Sequence, residues 1–154
     1  MRGYYVPLVS GIVLVVSTLL PWIRIGETTL RGLPSVPALW IAGLGAIAIV
    51  LATLSLITRR NSRHPLLVVG LVALGIMVLS WRVLPRSVSD RASSLAQATA
   101  IVEETEQSAT PDALIGIGIY VGVAASAAIA LFGLTIVVKR AQQPYAIASQ
   151  DDDV

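Results

Sequence analysis

Residues 36–64 read VPALWIAGLGAIAIVLATLSLITRRNSRH. Residues 36–57 of this stretch carry no charge. A helix of about 20 apolar residues is long enough to cross the hydrocarbon core of a bilayer. The run then stops at Arg59 and Arg60, with Arg63 and His64 close behind. Basic residues gathered at one end of an apolar span mark the side of a membrane that faces the cytoplasm.

The pattern recurs on both sides of this stretch. Residues 4–23 and 113–138 carry no charge, and residues 65–84 carry one, Arg82, near their end. The four stretches make up more than half of the 154 residues, which leaves too little chain to wrap them as core helices of a soluble protein. Charged residues are 13% of the chain and hydrophobic residues 55%. A soluble domain carries roughly 25% charged residues, so a soluble globule and a disordered chain are both excluded. A net charge of +2 offers no basic face for phosphates, which excludes nucleic acid as a partner. The chain has no cysteine, so disulfides, thiol chemistry and thiolate metal centres are excluded.

These readings predict an all-α, integral membrane four-helix bundle over residues 1–140, with a polar, flexible tail over 141–154 that ends in three aspartates. Arg2, the turn holding Arg59, Arg60 and Arg63, and the pair Lys139 and Arg140 fall on one side of four spans. The positive-inside bias makes that side the cytoplasm of a bacterial cell and places both termini there. Arg24, Arg31, Arg82, Arg86 and Arg91 fall on the outer side, where the second loop also carries five acids. Trp22, Trp40 and Trp81 then all lie near the outer interface, as anchors with one apolar and one wet end. Pro21, Trp22, Ile23 and Arg24 occupy the place where a leader peptide would need small residues for cleavage, so residues 4–23 are expected to remain as a first span.

Residues 11–22 and 70–81 each run from a glycine through aliphatic residues to a tryptophan, and residues 57–65 and 137–144 each hold a basic pair followed by a proline. A duplicated hairpin accounts for this, and so does shared composition. In the fourth span Gly118, Gly122, Ser126 and Ala130 recur at a spacing of four, followed by Gly133. Such a stripe lets another helix approach closely, either within the bundle or from another subunit. The first outer loop is short and is expected to be too small for a domain. The second is long enough for a separate amphipathic helix over residues 88–107, capped by Ser89 or Asp90, with Val88, Ala92, Leu95, Thr99 and Val102 on one side.

Ionisable residues inside a membrane mark ion paths and proton relays, and none lies in the middle of any span. His64 is the one histidine and sits at a boundary, which does not suit a haem ligand. No metalloprotease, nucleophile-elbow or phosphate-loop motif occurs. Glu103, Glu104, Glu106 and Asp112 lack the alternating spacing of a calcium loop. No catalytic residue, metal ligand or cofactor is therefore expected. Arg24, Arg31, Arg82 and Arg86 are the candidates for contact with anionic lipid headgroups, gathered beside the three tryptophans.

The Pro21-Trp22 end of span one, the arginine-rich turn, the longer second outer segment and the basic end of span four resemble small four-span membrane proteins of actinobacterial type. One such group is encoded beside tryptophan biosynthesis genes. The resemblance implies no catalytic residues. The layout is also similar to claudin-like proteins, but the paired cysteines of their first outer loop are missing. The function expected is that of a non-catalytic accessory or scaffolding subunit, whose partners are the bilayer and other membrane subunits or further copies of itself. The alternative is a lipid or small-molecule binding or transport protein with an apolar groove between spans.

Overall fold

The computed structural model describes residues 4–58, 63–103 and 113–141. The chain is mostly helical, with α1 over Tyr5–Ser17, α2 over Val36–Thr58, α3 over Arg63–Glu103 and α4 over Ile117–Ala141. Three short strands, β1 (Pro21–Ile25), β2 (Thr28–Arg31) and β3 (Ala113–Ile115), form one antiparallel sheet in the order β2-β1-β3.

The helices pack in a ring, α1 on α2, α2 on α3, α3 on α4 and α4 on α1. Each neighbouring pair is antiparallel. Gly11 of α1 faces Ile49 of α2 while Val15 faces Gly45, and Gly70 of α3 faces Ala130 of α4 while Met77 faces Gly122. The spacing between helices is set by what lacks a side chain. A Cβ on Gly70 would stand 2.5 Å from the Ala130 nitrogen, and one on Gly133 would stand 2.5 Å from the Leu67 Cα. Only glycine lets these backbones come so close.

Large side chains such as Leu14, Ile41, Leu66, Met77 and Ile129 are buried in the ring, and small ones pack between them, among them Ala38, Ala48, Ala52, Ala73, Ala125 and Ser126. Large aliphatic residues such as Ile12, Val50, Leu54, Leu71, Leu79 and Leu131 point outward and are exposed. Large exposed apolar patches are rare on soluble monomers. Three helices, α2, α3 and α4, are long and apolar enough to cross a membrane.

Three expectations are corrected. Residues 4–23 do not form one helix: α1 ends at Ser17 after 13 residues, about 20 Å, and residues 21–25 are strand. The first outer loop, expected as a short connection, carries most of two strands of a sheet. Gly26, at φ 55°, makes the two-residue turn that closes β1 on β2, and β3 arrives from the far side of the second loop. The helix expected over 88–107 is not separate. α3 runs unbroken for 41 residues, roughly 60 Å, with Pro85 inside it. Ser89 and Asp90 are interior residues of that helix rather than caps. Proline removes one hydrogen bond, to the Trp81 carbonyl, and the residues on either side of it continue the helix.

The face of the far half of α3 that is partly covered carries Ser89, Ala92, Ser93, Ala96 and Ala100. Leu95 and Ile101 are 69% and 79% exposed. The acids at 104, 106 and 112, the arginines at 2, 59 and 60 and the tail from 142 onward lie outside the described residues.

Candidate functional site

The sheet, the end of α1, the start of α2 and the start of α4 meet at one end of the ring. Trp22 is its centre. The pairing of β1 with β2 steps from Pro21↔Arg31 to Ile23↔Leu30, so Trp22 is the extra residue of a bulge. A strand normally alternates its faces, and a bulge re-aims a side chain. Trp22 and Ile23 are consecutive and both 1% exposed for this reason.

The indole lies where nothing larger than glycine fits. A Cβ on Gly32 would stand 2.6 Å from the ring's Cε2, and one on Gly118 would stand 2.6 Å from its Cδ1. The ring N–H donates to the Ser17 carbonyl at 2.9 Å. That carbonyl is among the last of α1, which an α-helix leaves without an internal partner. The amides of Leu33 and Gly32 donate to the Thr18 and Leu20 carbonyls at 3.0 and 3.3 Å, and the Gly116 amide donates to the Trp22 carbonyl at 2.7 Å. The Ser17 hydroxyl donates to the Leu14 carbonyl at 2.6 Å. These polar groups are thus satisfied within the protein, whereas the Ser35 hydroxyl, buried just before α2, has no hydrogen-bond partner among the described residues.

The three tryptophans share this end of the ring but not one role. Trp22 has no surface to offer a lipid, whereas Trp40 on α2 is 64% exposed and Trp81 on α3 is 40% exposed. Trp81 meets Tyr120 of α4 edge-to-face, with ring centroids 5.8 Å apart. At the opposite end Tyr4 is buried against Phe132, centroids 5.2 Å apart.

Comparison with protein-family models, with curated proteins and with solved structures gives no match.

The small-residue stripe faces inward. Gly118 lies against Trp22, Gly122 against Met77 and Ser17, Ala130 against Gly70, and Gly133 against Leu67. Ser126 is fully buried, its hydroxyl donating to the Val123 carbonyl at 3.0 Å. Of its two possible destinations the stripe takes the internal one.

The four arginines divide between two elements, the sheet and α3. Arg24 sits in the middle strand and Arg31 in the strand farthest from β3. Arg82 and Arg86 line a separate groove of about 480 Å³ on α3 with Val78, Trp81 and Pro85. All four arginines are exposed. Pro85 is the groove residue that the sequence reading did not connect to these arginines. The continuity of α3 through residue 85 is what places it there.

Proposed function

We propose that the protein is an integral protein of the bacterial cytoplasmic membrane, crossing it four times with both termini in the cytoplasm. In this reading it is a non-catalytic accessory or scaffolding subunit of a membrane assembly. The observation that supports it is the surface of the ring, where large aliphatic residues stand exposed on all four helices while small residues bring the helices together. Lipid tails are as apolar as leucine, so such a surface is at rest only in a bilayer, and packing of small residues then holds the helices together. α1 is short for a crossing, but the turn at residues 18–20 carries on from it with its carbonyls received by the Gly32 and Leu33 amides. Non-helical backbone is tolerated at membrane depth when it is satisfied within protein.

The scaffolding role draws on α3. Trp81 is level with Tyr120, near the start of α4. Leu84 and Val88 still pack against the core, so the roughly 15 residues beyond Val88 extend about 20 Å past it, exposing Leu95 and Ile101. A long arm with apolar residues at its far half suits the holding of another subunit or a second copy of this chain.

Reporter fusions after Arg60 and after Arg140 test the crossings: both are expected on the cytoplasmic side, and opposite sides would overturn the topology. Native electrophoresis from mild detergent tests the role. An assembly larger than one 16.2 kDa chain with its detergent is expected, and a strict monomer would overturn it.

A further inference from the structure

We propose that the α3 face carrying Arg86, Arg82, Val78 and Gly75 is a seat for one phospholipid with a net negative headgroup. This rests on the membrane reading above and adds a ligand class to it. Residues 86, 82, 78, 75 and 71 are separated by four, four, three and four positions, which places them along one face of a helix.

The upper part of that face is cationic. Arg82 and Arg86 are exposed, and among the described residues neither has an ion-pair or hydrogen-bond partner. Stacked one turn apart, two planar guanidinium groups offer forked donors to a single phosphate. The groove they line, about 480 Å³, is within the range of small-ligand sites. Pro85 lies in the same groove and has no N–H for the Trp81 carbonyl, which leaves an acceptor for a headgroup hydroxyl.

The lower part is apolar and grooved. No atom of the chain lies within 4 Å of where a Cβ of Gly75 would stand, and Val78 and Leu71 flank this notch and are exposed. From Arg82 to Leu71 is about 16 Å along the helix, close to half of a ~30 Å hydrocarbon core. The face therefore has the length and polarity of one lipid in one leaflet. Two other exposed grooves, one on α2 around Trp40 and Gly43 and one between α3 and α4 around Leu71 and Leu131, are lined by apolar residues alone and have nothing with which to select a headgroup, and a third, on the far half of α3, sets Asp90 beside Arg91, an acid that opposes an anionic headgroup.

The test uses the full chain with Trp40→Phe, which leaves Trp81 in the groove and Trp22 buried. It is reconstituted into phosphatidylcholine vesicles containing a minor fraction of either phosphatidylglycerol or phosphatidylcholine with brominated acyl chains. Brominated phosphatidylglycerol is expected to quench Trp81 more strongly at equal mole fraction. Near a membrane surface each arginine contributes about a fivefold preference for anionic lipid, so the pair gives about 25-fold. Arg82→Ala with Arg86→Ala is expected to abolish the excess, while Arg24→Ala with Arg31→Ala on the sheet leaves it. Gly75→Leu, which fills the notch and keeps both arginines, is expected to weaken it several-fold.

Equal quenching by the two headgroups overturns the proposal, as does an excess that survives Arg82→Ala with Arg86→Ala. An excess untouched by Gly75→Leu reduces the seat to surface charge and overturns it too. Loss of the excess on adding millimolar inorganic phosphate at constant ionic strength assigns the arginines to free phosphate instead. A protein that does not float with the vesicles overturns the membrane reading itself, an outcome distinct from the others.

Discussion

The indole of Trp22 donates its N–H to the carbonyl oxygen of Ser17 at 2.9 Å, tying the second residue of β1 to the last residue of α1. One side chain so joins the sheet to the helix that precedes it and occupies the space left by Gly32 and Gly118. Trp22→Phe keeps most of the apolar area and removes this donor, while the Leu20 amide still reaches the Ser17 carbonyl at 3.3 Å, so the expected loss is that of one hydrogen bond, about 0.5–1.5 kcal/mol. Trp22→Ala also opens a cavity and is expected to cost about 3–5 kcal/mol. Reversible unfolding in a detergent titration should give the two variants in that order. Equal midpoints for Trp22→Phe and the parent would remove the bond from the account.

Glycine positions separate into two kinds, and alanine tells them apart. A methyl at Gly118 meets the Trp22 ring at 2.6 Å and the Ser17 carbonyl oxygen at 2.9 Å, so Gly118→Ala is expected to destabilise by about 1–3 kcal/mol. A methyl at Gly75 meets nothing within 4 Å, and Gly75→Ala in mid-helix is expected to stabilise by up to about 1 kcal/mol. Opposite shifts in unfolding midpoint are the result to look for.

Gly70 and Gly133 both hold α3 against α4, at Ala130 and Leu67 respectively. Either alanine substitution pushes the same two helices apart, so each relieves part of the clash that the other creates. Gly70→Ala and Gly133→Ala are each expected to cost about 1–3 kcal/mol, with the double variant losing less than their sum by at least about 0.5 kcal/mol. Strict additivity in a double-mutant cycle would mean that the two approaches are independent.

Trp81 and Tyr120 meet edge-to-face at 5.8 Å, joining α3 to α4 at the sheet end. A cycle with Trp81→Leu and Tyr120→Leu is expected to return a coupling of about 0.5–1.5 kcal/mol beyond the area each buries. A coupling of zero would make their proximity incidental.

Much of this architecture is legible in the residues. The uncharged runs give the long helices, the spacing of Gly118, Gly122, Ser126 and Ala130 gives a packed face, and the three tryptophans fall at one end of the ring. The hairpin was hidden because Pro21-Trp22-Ile23 continues an apolar run without a break. Its signal is nonetheless present. Ile23, Arg24 and Ile25 alternate, Gly26 and Glu27 make the turn, and Thr28 and Thr29 follow, which is the pattern of a strand pair with a glycine turn. β3 has three residues, too few to differ from the first turn of a helix. Pro85 suggested an end to α3, yet one missing amide does not stop a helix whose neighbours favour it. The division of the arginines between strands and α3 follows from the hairpin, which the apolar run conceals.

The unbroken course of α3 has a mechanical consequence. A rod that begins among the closely packed glycines of the ring and ends at Glu103 transmits rotation along its axis. A pull or twist at Ile101 would arrive at Gly70, where there is no slack for it to dissipate before it reaches α4. Pro85, lacking one rung of the ladder, is the joint at which such a lever would bend first.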